Sequence, residues 1–494
     1  MTAPVSVVER ERKFDLDPDQ PVPRLAGTGP VADQRDPVET TLEATYFDTP
    51  DLRLTRARIT LRRRTGGTDE GWHLKLPRPD GAREELHLPL DEGTAVPAQL
   101  AELVRPQLGD GELSAVVRLK TVRHSHDLVD ADGTVLATLA DDQVAGELAG
   151  DVLHLDGWRE LEVELAPGAP PELLGTLAHA LIAAGARPAY WPSKLRRVIA
   201  PRLPDKPPAP GRRATAGEVV LAYLRAQVAA IREHDQRVRR DAGDAVHQLR
   251  VAIRRTRSAL TVFRRVLDRD ATRALSAELK WAAGELSPAR DTEVLYEHLS
   301  GQLTRLPGAA VVANAPARLR SRFEQRTTEA RERVRTALRS GRYAALFESL
   351  DRLLAEPPLT ERANAPARAA LEQALKRAHG RLADHVARLT ELAPGPELDA
   401  GLHEVRKKAK RARYAAEVVV PVAGKRLQRW QREVKALTKV LGEHHDSVVA
   451  REALRDLADD EGAFTFGVLY QRELDRGHRL HERFSRLWKG LGAP

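Results

Sequence analysis

Glu9, Glu11 and Lys13 are spaced two residues apart near the start of the chain. Because alternate residues of an extended strand share a face, this spacing places two carboxylates and an ammonium on one side. Carboxylate oxygens bind divalent cations and an ammonium binds phosphate, so the group could hold a metal ion beside a phosphate. A solvated strand edge explains the same short run, and the rest of the chain must decide between the two interpretations.

Three later segments also carry charges of a single sign on one face of a strand. The alternating charged residues are Arg62 and Arg64, then Arg118 and Lys120, then Glu160, Glu162 and Glu164. The alternative is a sheet whose charged side faces bulk water. Like charges two residues apart repel each other unless something bridges them, and metal-bound phosphates inside a closed barrel would do so.

Two different regimes of hydrophobic periodicity divide the chain. Up to about residue 200, short alternating segments separated by turn-forming residues predict an antiparallel sheet, plausibly closed, with helices at 97–108 and 171–184. Residues 201–211 are too rich in proline for a helix or a central strand, and they predict a linker. From about Thr215 the helical period takes over and predicts an all-α domain of roughly ten helices.

The helical part contains an internal duplication. His247-x-x-Arg250-x-x-x-Arg254-Arg255-x-Arg257 is matched 156 residues later by His403-x-x-Arg406-x-x-x-Lys410-Arg411-x-Arg413. Steps of 3, 7 and 10 residues stay within an arc of roughly 80° on a helix, so each copy forms a basic stripe. A solvated basic face is the alternative, and repetition of the stripe weakens it.

Composition limits the function classes. The chain has 494 residues and no cysteine, which allows two or more domains and excludes disulfides and thiolate metal sites. Residues 1–210 hold 25 Lys and Arg against 34 Asp and Glu, whereas residues 211–494 hold 54 against 37. This asymmetry predicts a polyanion-binding second part. The sequence lacks a signal-peptide pattern and a long apolar stretch, so we expect a cytoplasmic protein that does not enter a membrane.

The first 200 residues resemble the CYTH superfamily of triphosphate tunnel enzymes. The resemblance rests on Glu9-x-Glu11-x-Lys13, Tyr46-Phe47-Asp48-Thr49, Leu61-Arg62-x-Arg64, Lys75, Arg118-x-Lys120, Glu160-x-Glu162-x-Glu164 and Ser193-Lys194. It implies an eight-stranded antiparallel β-barrel tunnel over residues 5–200, binding a linear triphosphate with Mg²⁺ or Mn²⁺.

Residue roles follow from the same resemblance. It implies a catalytic set of Glu9, Glu11, Lys13 and Lys194, phosphate clamps at Arg62, Arg64, Lys75, Arg118 and Lys120, and metal ligands at Glu9, Glu11, Asp141, Glu160, Glu162 and Glu164. A further tunnel acid belongs to the pattern, and the sequence does not choose between Asp141 and its neighbour Asp142. Arg83, Glu85 and Arg123 are additional candidates.

Residues 214–490, after a linker at 201–213, resemble the CHAD domain, which implies two duplicated helical-bundle halves that bind inorganic polyphosphate. The implied ligand contacts are His247, Arg250, Arg254, Arg257, His403, Arg406, Lys407, Lys410, Arg411 and Arg413, with Lys280, Lys435 and Lys439 less certain. The overall fold class predicted is therefore multi-domain α+β.

We expect metal-dependent hydrolysis of inorganic triphosphate or short polyphosphate, with polyphosphate granules as a further expected location. The alternatives are a non-catalytic polyphosphate-binding protein, or an enzyme for an organic triphosphate such as a thiamine triphosphate hydrolase or a nucleotide cyclase. Specific nucleic-acid binding is disfavoured, because few aromatic residues lie near the basic stripes to stack on bases. The sequence does not determine the oligomeric state.

Overall fold

The computed structural model describes residues 4–78, 82–91, 93–148, 154–203, 209–211, 213–312, 314–458 and 463–494, without the side chains of 154–156. The chain divides into two compact units, residues 1–206 and 207–494. The division falls inside the predicted linker at 201–213, of which residues 204–208 and 212 lie outside the described part.

Strands dominate the first unit. Its strands are β1 (Val5–Glu9), β2 (Glu11–Asp15), β3 (Asp33–Gln34), β4 (Val38–Asp48), β5 (Thr60–Thr65), β6 (Gly71–Pro77), β7 (Arg83–Leu88), β8 (Ser114–Val129), β9 (Val135–Leu148), β10 (His154–Leu165) and β11 (Arg187–Pro188). Its helices are α1 (Arg53–Arg56), α2 (Ala98–Leu108), α3 (Leu173–Ala183) and α4 (Lys194–Ile199).

The sheet curls until its two ends meet at Arg10. The strand order is β1-β7-β6-β5-β4-β8-β9-β10-β2-β11, and every pairing is antiparallel. Only Arg10 separates β1 from β2, and its carbonyl accepts a 3.0 Å hydrogen bond from the Leu165 backbone amide. Counting β1 and β2 as one strand, eight strands of five or more residues form the curl. This confirms the predicted antiparallel sheet.

Apolar side chains on the outer side of the curl pack under the helices. Leu161 and Val163 of β10 are fully buried and pack with Leu177 and Leu181 of α3. A second outer cluster joins β5, β6 and β7 to α2, whereas a third cluster lies on the inner side, where α4 packs on β4, β8 and β9. Burying each such side chain contributes about 1.5–3 kcal/mol. Since the strands alternate, this packing turns the charged residues of β2 and β10 into the interior.

The second unit is all-helical in its described residues. Its α-helices are α5 (Ala216–Arg239), α6 (Ala245–Val262), α7 (Arg273–Leu303), α8 (Ala315–Arg339), α9 (Gly341–Ala355), α10 (Ala367–Leu389), α11 (Pro396–Ala423), α12 (Lys425–Leu457) and α13 (Ala463–Gly490). A capping box fixes the start of α5, where the Thr215 side chain accepts from the Glu218 amide and Glu218 accepts from the Thr215 amide.

Packing between helices follows the internal duplication. Helices α5, α6 and α7 pack against α10, α11 and α12 respectively, and the two copies of the repeated motif lie on α6 and α11. One large apolar core unites these helices, while Leu299, Phe323, Leu454 and Phe466 belong to a smaller cluster. The predicted helical-bundle architecture is confirmed. A membrane-spanning helix, judged by length and apolar character, is not found among the described helices.

Candidate functional site

A cavity of about 340 Å³ lies inside the curled sheet. Strands β1, β2, β5, β6, β7, β8 and β10 contribute charged side chains to its wall, together with the first residue of α4. These side chains are Glu9, Glu11, Lys13, Arg62, Arg64, Lys75, Arg83, Glu85, Arg123, Glu162, Glu164 and Lys194. The curl therefore brings together residues that are up to 185 positions apart. Acidic residues of β1, β2 and β10 and basic residues of β5 and β6 line the same cavity.

Glu9 and Lys75 form a close ion pair on one wall. The Lys75 Nζ donates to both Glu9 oxygens at 2.8 and 2.7 Å and lies 3.8 Å from Glu85. Burial raises the pKa of Glu9, and the neighbouring Glu85 carboxyl adds to that effect. Two carboxyls around one ammonium leave this wall short of positive charge.

Lys194 lies at the centre of three carboxylates. Its Nζ is 2.8 Å from Asp142, 2.8 Å from Glu160 and 2.6 Å from Glu162. The pKa of Lys194 is raised, since attraction to these three acids outweighs the cost of burying the ammonium. The carboxylate oxygens lie within 4.8 Å of one another, which is a spacing that could hold a metal ion. In this conformation the lysine ammonium supplies that positive charge.

Lys13 continues the network toward the other acidic strand. It donates to Glu162 and, at 3.1 Å, to Glu11. The pKa of Glu162 lies well below its usual range, because Lys13, Lys194 and Arg123 all surround it. Glu162 is thus the most strongly neutralised acid of the cavity.

Glu164, unlike Glu162, has a carboxylate as its cross-strand neighbour. In the β10–β2 ladder Glu164 is the direct cross-strand neighbour of Glu11, so the two carboxylates lie close together. Among the described residues no cation lies within ion-pair distance of Glu164. Burial, with the negative charges of Glu9, Glu11 and Glu162, raises its pKa to about 7. Within the described structure, Glu164 is therefore an unpaired carboxylate in a part of the cavity where Glu9 and Glu11 add further negative charge.

Arginines occupy the remaining wall. Burial and the charges of Arg62 and Arg123 lower the pKa of Arg64 to about 9, although its guanidinium contacts the exposed Asp69. Within the described structure the buried Nε atoms of Arg62 and Arg64 have no hydrogen-bond partner. Unpaired guanidinium donors in a buried, cationic environment fit an anion such as phosphate.

Arg123 joins these arginines to the acids, because its guanidinium donates twice to Asp142 at 2.7 Å and once to Glu162 at 2.8 Å. The sequence interpretation had included Arg123 only as an additional candidate. The alternation of residues along β8 could have identified Arg123, because Thr121 and Arg123 share the inward face of this strand.

The predictions for Arg118 and Lys120 as tunnel residues are wrong. Both side chains are exposed on the outer face of β8, where the strand register places Arg118 opposite Glu147 and Lys120 opposite Glu43. At this end of β8 the inward residues are Val117 and Leu119, which pack against α4. The apolar face was assumed to point outward, as it does in β10, but α4 covers it from inside.

The prediction of Asp141 as a metal ligand is also wrong. Asp141 forms a bidentate ion pair with Arg159 at 2.8 and 2.9 Å, outside the cavity network. Its neighbour Asp142 is fully buried and contacts Lys194 and Arg123. Adjacent residues of a strand point to opposite faces, so only one of the two could join Glu162.

Tyr46 and His73 also line the cavity. Sequence reasoning placed Tyr46 in a motif without giving it a role in the site, and it missed His73. His73 is buried, its Nδ1 lies 2.7 Å from Glu85, and its Nε2 lies 2.9 Å from the Asp69 carbonyl. Its pKa is strongly lowered by burial and by Arg62 and Arg64, which favours a neutral ring. His73 could have been predicted to line the cavity, because it lies two residues before Lys75 and alternate strand residues share a face.

In the helical unit, the two predicted stripes meet. Burial and the charges of Arg406, Arg254 and Arg413 lower the pKa of Lys410 to about 6, although Asp446 opposes this effect. Arg254 belongs to α6 and the other three cations belong to α11, so both copies of the motif supply one central cluster. We call Arg254, Arg406, Lys410 and Arg413 the central cluster. Its acidic neighbours are Asp446 and, 3.9 Å from Arg413, Glu417.

The other predicted polyphosphate contacts differ in whether they are paired with acids. Arg250 pairs with Asp291 at 2.9 Å, and exposed Lys407 pairs with Glu404 at 2.6 Å. The pKa of Arg257 is lowered by burial and by Arg411. His403 packs against His445 with the two rings tilted by 40° and their Nδ1 atoms 3.1 Å apart, and burial lowers the pKa of both rings. His247 is half-buried with a lowered pKa and occupies the equivalent place on α6.

The fold and its sites define a two-domain protein, in which an antiparallel sheet encloses a charged cavity and a helical domain carries a basic cluster. Residues 8–183 match the CYTH domain and residues 222–455 match the CHAD domain. An uncharacterized protein of Mycobacterium tuberculosis is 36% identical over 514 residues, covering 97% of this chain and 95% of that protein. The chain belongs to the family of proteins in which a CYTH domain is followed by a CHAD domain.

Two further similarities cover parts of the chain. Human thiamine-triphosphatase is 38% identical over 115 residues, which are 22% of this chain and 46% of the human protein. The structure of PptA from Streptomyces chartreusis covers 56% of this chain and 100% of its own, with 28% identity and a TM-score of 0.49.

Proposed function

We propose that the sheet domain is a metal-dependent phosphoanhydride hydrolase that acts on inorganic triphosphate or on the ends of short polyphosphate. One observation carries this proposal: the arginines with unpaired donors and Glu164, a carboxylate without an ion-pair partner in the described part of the chain, line the same cavity of about 340 Å³. A linear triphosphate bound to a divalent cation offers oxygens to the arginines and positive charge to the acids.

Glu9, Glu11 and Glu164 are the residues that would hold Mg²⁺ or Mn²⁺. The fit rests on Glu164, which has no ion-pair partner among the described residues and whose pKa is raised to about 7 by burial and by the negative charges of Glu9 and Glu11. A divalent cation would offset those charges. Asp142, Glu160 and Glu162 form a second oxygen-rich group, but Lys194 already neutralises it. A bound cation would withdraw charge from the phosphate and activate water for attack on phosphorus.

The protein's own residues contribute binding and orientation. Arg62 and Arg64 would donate their free Nε–H groups to phosphate oxygens, and the positively charged wall would stabilise charge that develops on the departing phosphate. Lys75 holds the Glu9 carboxylate by two hydrogen bonds, so that this carboxylate keeps one orientation. In hydrolysis the water oxygen bonds to the terminal phosphorus as the anhydride P–O bond breaks, and the electron pair leaves with the bridging oxygen.

An organic triphosphate is the second candidate substrate, supported by the local similarity to human thiamine-triphosphatase. The structure provides little aromatic surface for a ring, since Trp72 packs fully buried under α2 on the outer side and Tyr46 is the aromatic residue in the described cavity wall. A nucleotide cyclase would need the same kind of pocket for its base. The inorganic substrate is therefore favoured.

For the helical domain we propose polyphosphate binding by the central cluster. Burial and mutual repulsion depress the pKa of Lys410, and both effects would be offset by a polyanion. Binding through this domain predicts association of the protein with polyphosphate granules. A protein that binds polyphosphate without hydrolysis is the remaining alternative, although the acids of the sheet cavity would then weaken anion binding.

Phosphate release separates these functions. Full-length protein is incubated with tripolyphosphate, thiamine triphosphate and ATP in the presence of Mg²⁺ or Mn²⁺. Tripolyphosphate should give the highest kcat/KM, and Glu9→Gln/Glu11→Gln should lose at least about a hundredfold of this activity. The matched control Glu39→Gln/Glu43→Gln removes two exposed carboxylates from β4 and should retain it. Full activity in the Glu9 and Glu11 variant would refute the assignment.

A further inference from the structure

Five arginines form a second basic surface in the helical unit. Arg264 and Arg265 follow the end of α6, Arg377 and Arg381 lie one turn apart on α10, and Arg362 lies in the short helical turn before α10. All are exposed except Arg377, which is half-buried. We call these residues the outer arginine cluster. None of them belongs to the repeated motif on α6 and α11.

These arginines lie close enough to influence one another. The pKa of Arg377 is lowered by burial and by the charges of Arg265, Arg381, Arg362 and Arg264. The packing of α10 against α5, α6 and α11 brings these segments together. The cluster is therefore produced by tertiary packing and is not visible as a charged run in the sequence.

No carboxylate balances the outer cluster. Across the described residues, none of its five side chains has an acidic partner within 4.0 Å. Neighbouring like charges on a helix are unfavourable, and a natural surface usually mixes signs. Other exposed arginines of the same unit are paired, for example Arg368 with Glu372 and Arg342 with Glu278. The outer cluster is distinctive because its five arginines, unpaired in the described part of the chain, also act on one another.

The outer cluster is continuous with the central cluster. Burial, Arg264 and Arg411 lower the pKa of Arg381, and burial and Arg411 lower that of Arg257. Arg411 lies on α11, which packs against both α10 and α6. The pKa of Lys408 is lowered by burial and by the charges of Arg411 and Arg381. A path of positive charge therefore leads from α11 across the end of α6 to α10.

We propose that the outer arginine cluster is a second segment of the polyphosphate site, which binds the part of a long chain that extends beyond the central cluster. The proposal rests on the proposed function of the helical domain. Short chains would fill the central cluster alone, whereas longer chains would gain contacts with Arg377, Arg381, Arg264 and Arg265. The structure therefore predicts that affinity rises with chain length.

The scarcity of exposed aromatic rings near the outer cluster favours polyphosphate over nucleic acid. His379 of α10 is half-buried and packs against Trp430 and Trp488. The exposed aromatic side chains among the described residues are Tyr190 and Phe464, and neither belongs to a segment that forms the outer cluster. Single-stranded nucleic acids gain much of their affinity from bases stacked on such rings. Guanidinium groups without acidic partners offer their N–H donors to the oxygens of a phosphate chain.

The test compares binding of short and long polyphosphate to full-length protein by calorimetry at several salt concentrations. Arg377→Ala/Arg381→Ala should weaken long-chain binding at least about fivefold, reduce its salt dependence, and leave short-chain binding unchanged. Arg264→Ala/Arg265→Ala, which changes the segment after α6, should have the same effects on long-chain and short-chain binding. The control Arg320→Ala/Arg331→Ala removes two exposed arginines from α8, which does not pack against α10, and should bind like the wild type.

Each outcome has a distinct meaning. If the wild type binds no polyphosphate of any length, the proposed function of the helical domain fails, and this inference fails with it. If the wild type binds but both outer variants match the α8 control at all lengths, only the second segment is refuted. If the outer variants lose binding of single-stranded RNA and keep polyphosphate, the cluster serves a different ligand and the proposal is overturned.

Discussion

Glu164 faces Glu11 across the β10–β2 ladder, and both carboxylates point into the cavity. Burial, together with the negative charges of Glu9 and Glu11, raises the pKa of Glu164 to about 7. Glu162, two residues earlier, instead pairs with Lys13 and Lys194. A single strand therefore carries one acid that is neutralised by lysines and one that is available to a cation.

The first prediction concerns pH and the stability of the metal-free protein. Because the folded pKa of Glu164 exceeds its ordinary value of 4.5, the folded state binds this proton more tightly. The resulting stabilisation is present below pH 4.5 and is lost as the pH rises through 7, at most about 3 kcal/mol. Calorimetric unfolding in EDTA between pH 5 and 8 should show a loss that Glu164→Gln reduces.

The same experiment with added Mn²⁺ provides the check. The cation should raise the unfolding temperature of the wild type at pH 8 and raise that of Glu164→Gln much less, because the variant lacks one ligand. The control Glu43→Gln, on the outer face of β4, should behave like the wild type. An equal metal response in all three proteins would contradict the placement of the cation.

The second prediction concerns Lys194. Replacing it with methionine leaves Asp142, Glu160 and Glu162 buried without this ammonium, which should destabilise the sheet domain by about 3–5 kcal/mol. A divalent cation should recover part of the loss, since the three carboxylates then have the spacing of a metal site. Lys120→Met, on the exposed face of β8, should change the unfolding free energy by less than about 0.5 kcal/mol.

The third prediction separates inward from outward cations. Arg62→Ala and Arg64→Ala should each raise the KM for tripolyphosphate at least about tenfold, because each removes a buried donor from the cavity wall. Arg118→Ala should leave KM and kcat unchanged, since its side chain is exposed outside the curl. A large KM effect in Arg118→Ala would show that substrate contacts the outer face.

The fourth prediction concerns protons in polyphosphate binding. The pKa of Lys410 is about 6 in the free protein, so this residue is largely neutral at pH 8. A bound polyanion would raise that pKa, and binding at pH 8 should take up about one proton, which calorimetry in buffers of different ionisation enthalpy measures. Lys410→Met should abolish most of the uptake, whereas Lys407→Met should retain it. Equal uptake in wild type and Lys410→Met would refute this assignment.

Alternation of residue types by itself determined much of the sheet domain. Glu9, Glu11 and Lys13 could be assigned to one face, and the acidic strand could be matched to them, because a strand has a fixed period of two. The same period required that only one of Asp141 and Asp142 face inward, without showing which one. The helical period and the exact repeat likewise identified His247 to Arg257 and His403 to Arg413 as paired stripes.

Tertiary structure alone decided which face of each strand is inside. In β10 the apolar face packs under α3 and the acids point inward, whereas at the start of β8 the apolar face points inward against α4 and Arg118 and Lys120 point out. Periodicity defines two faces but does not say where the covering helix lies. The outer arginine cluster has the same origin, because its residues come from segments that meet only when α10 packs against α6 and α11.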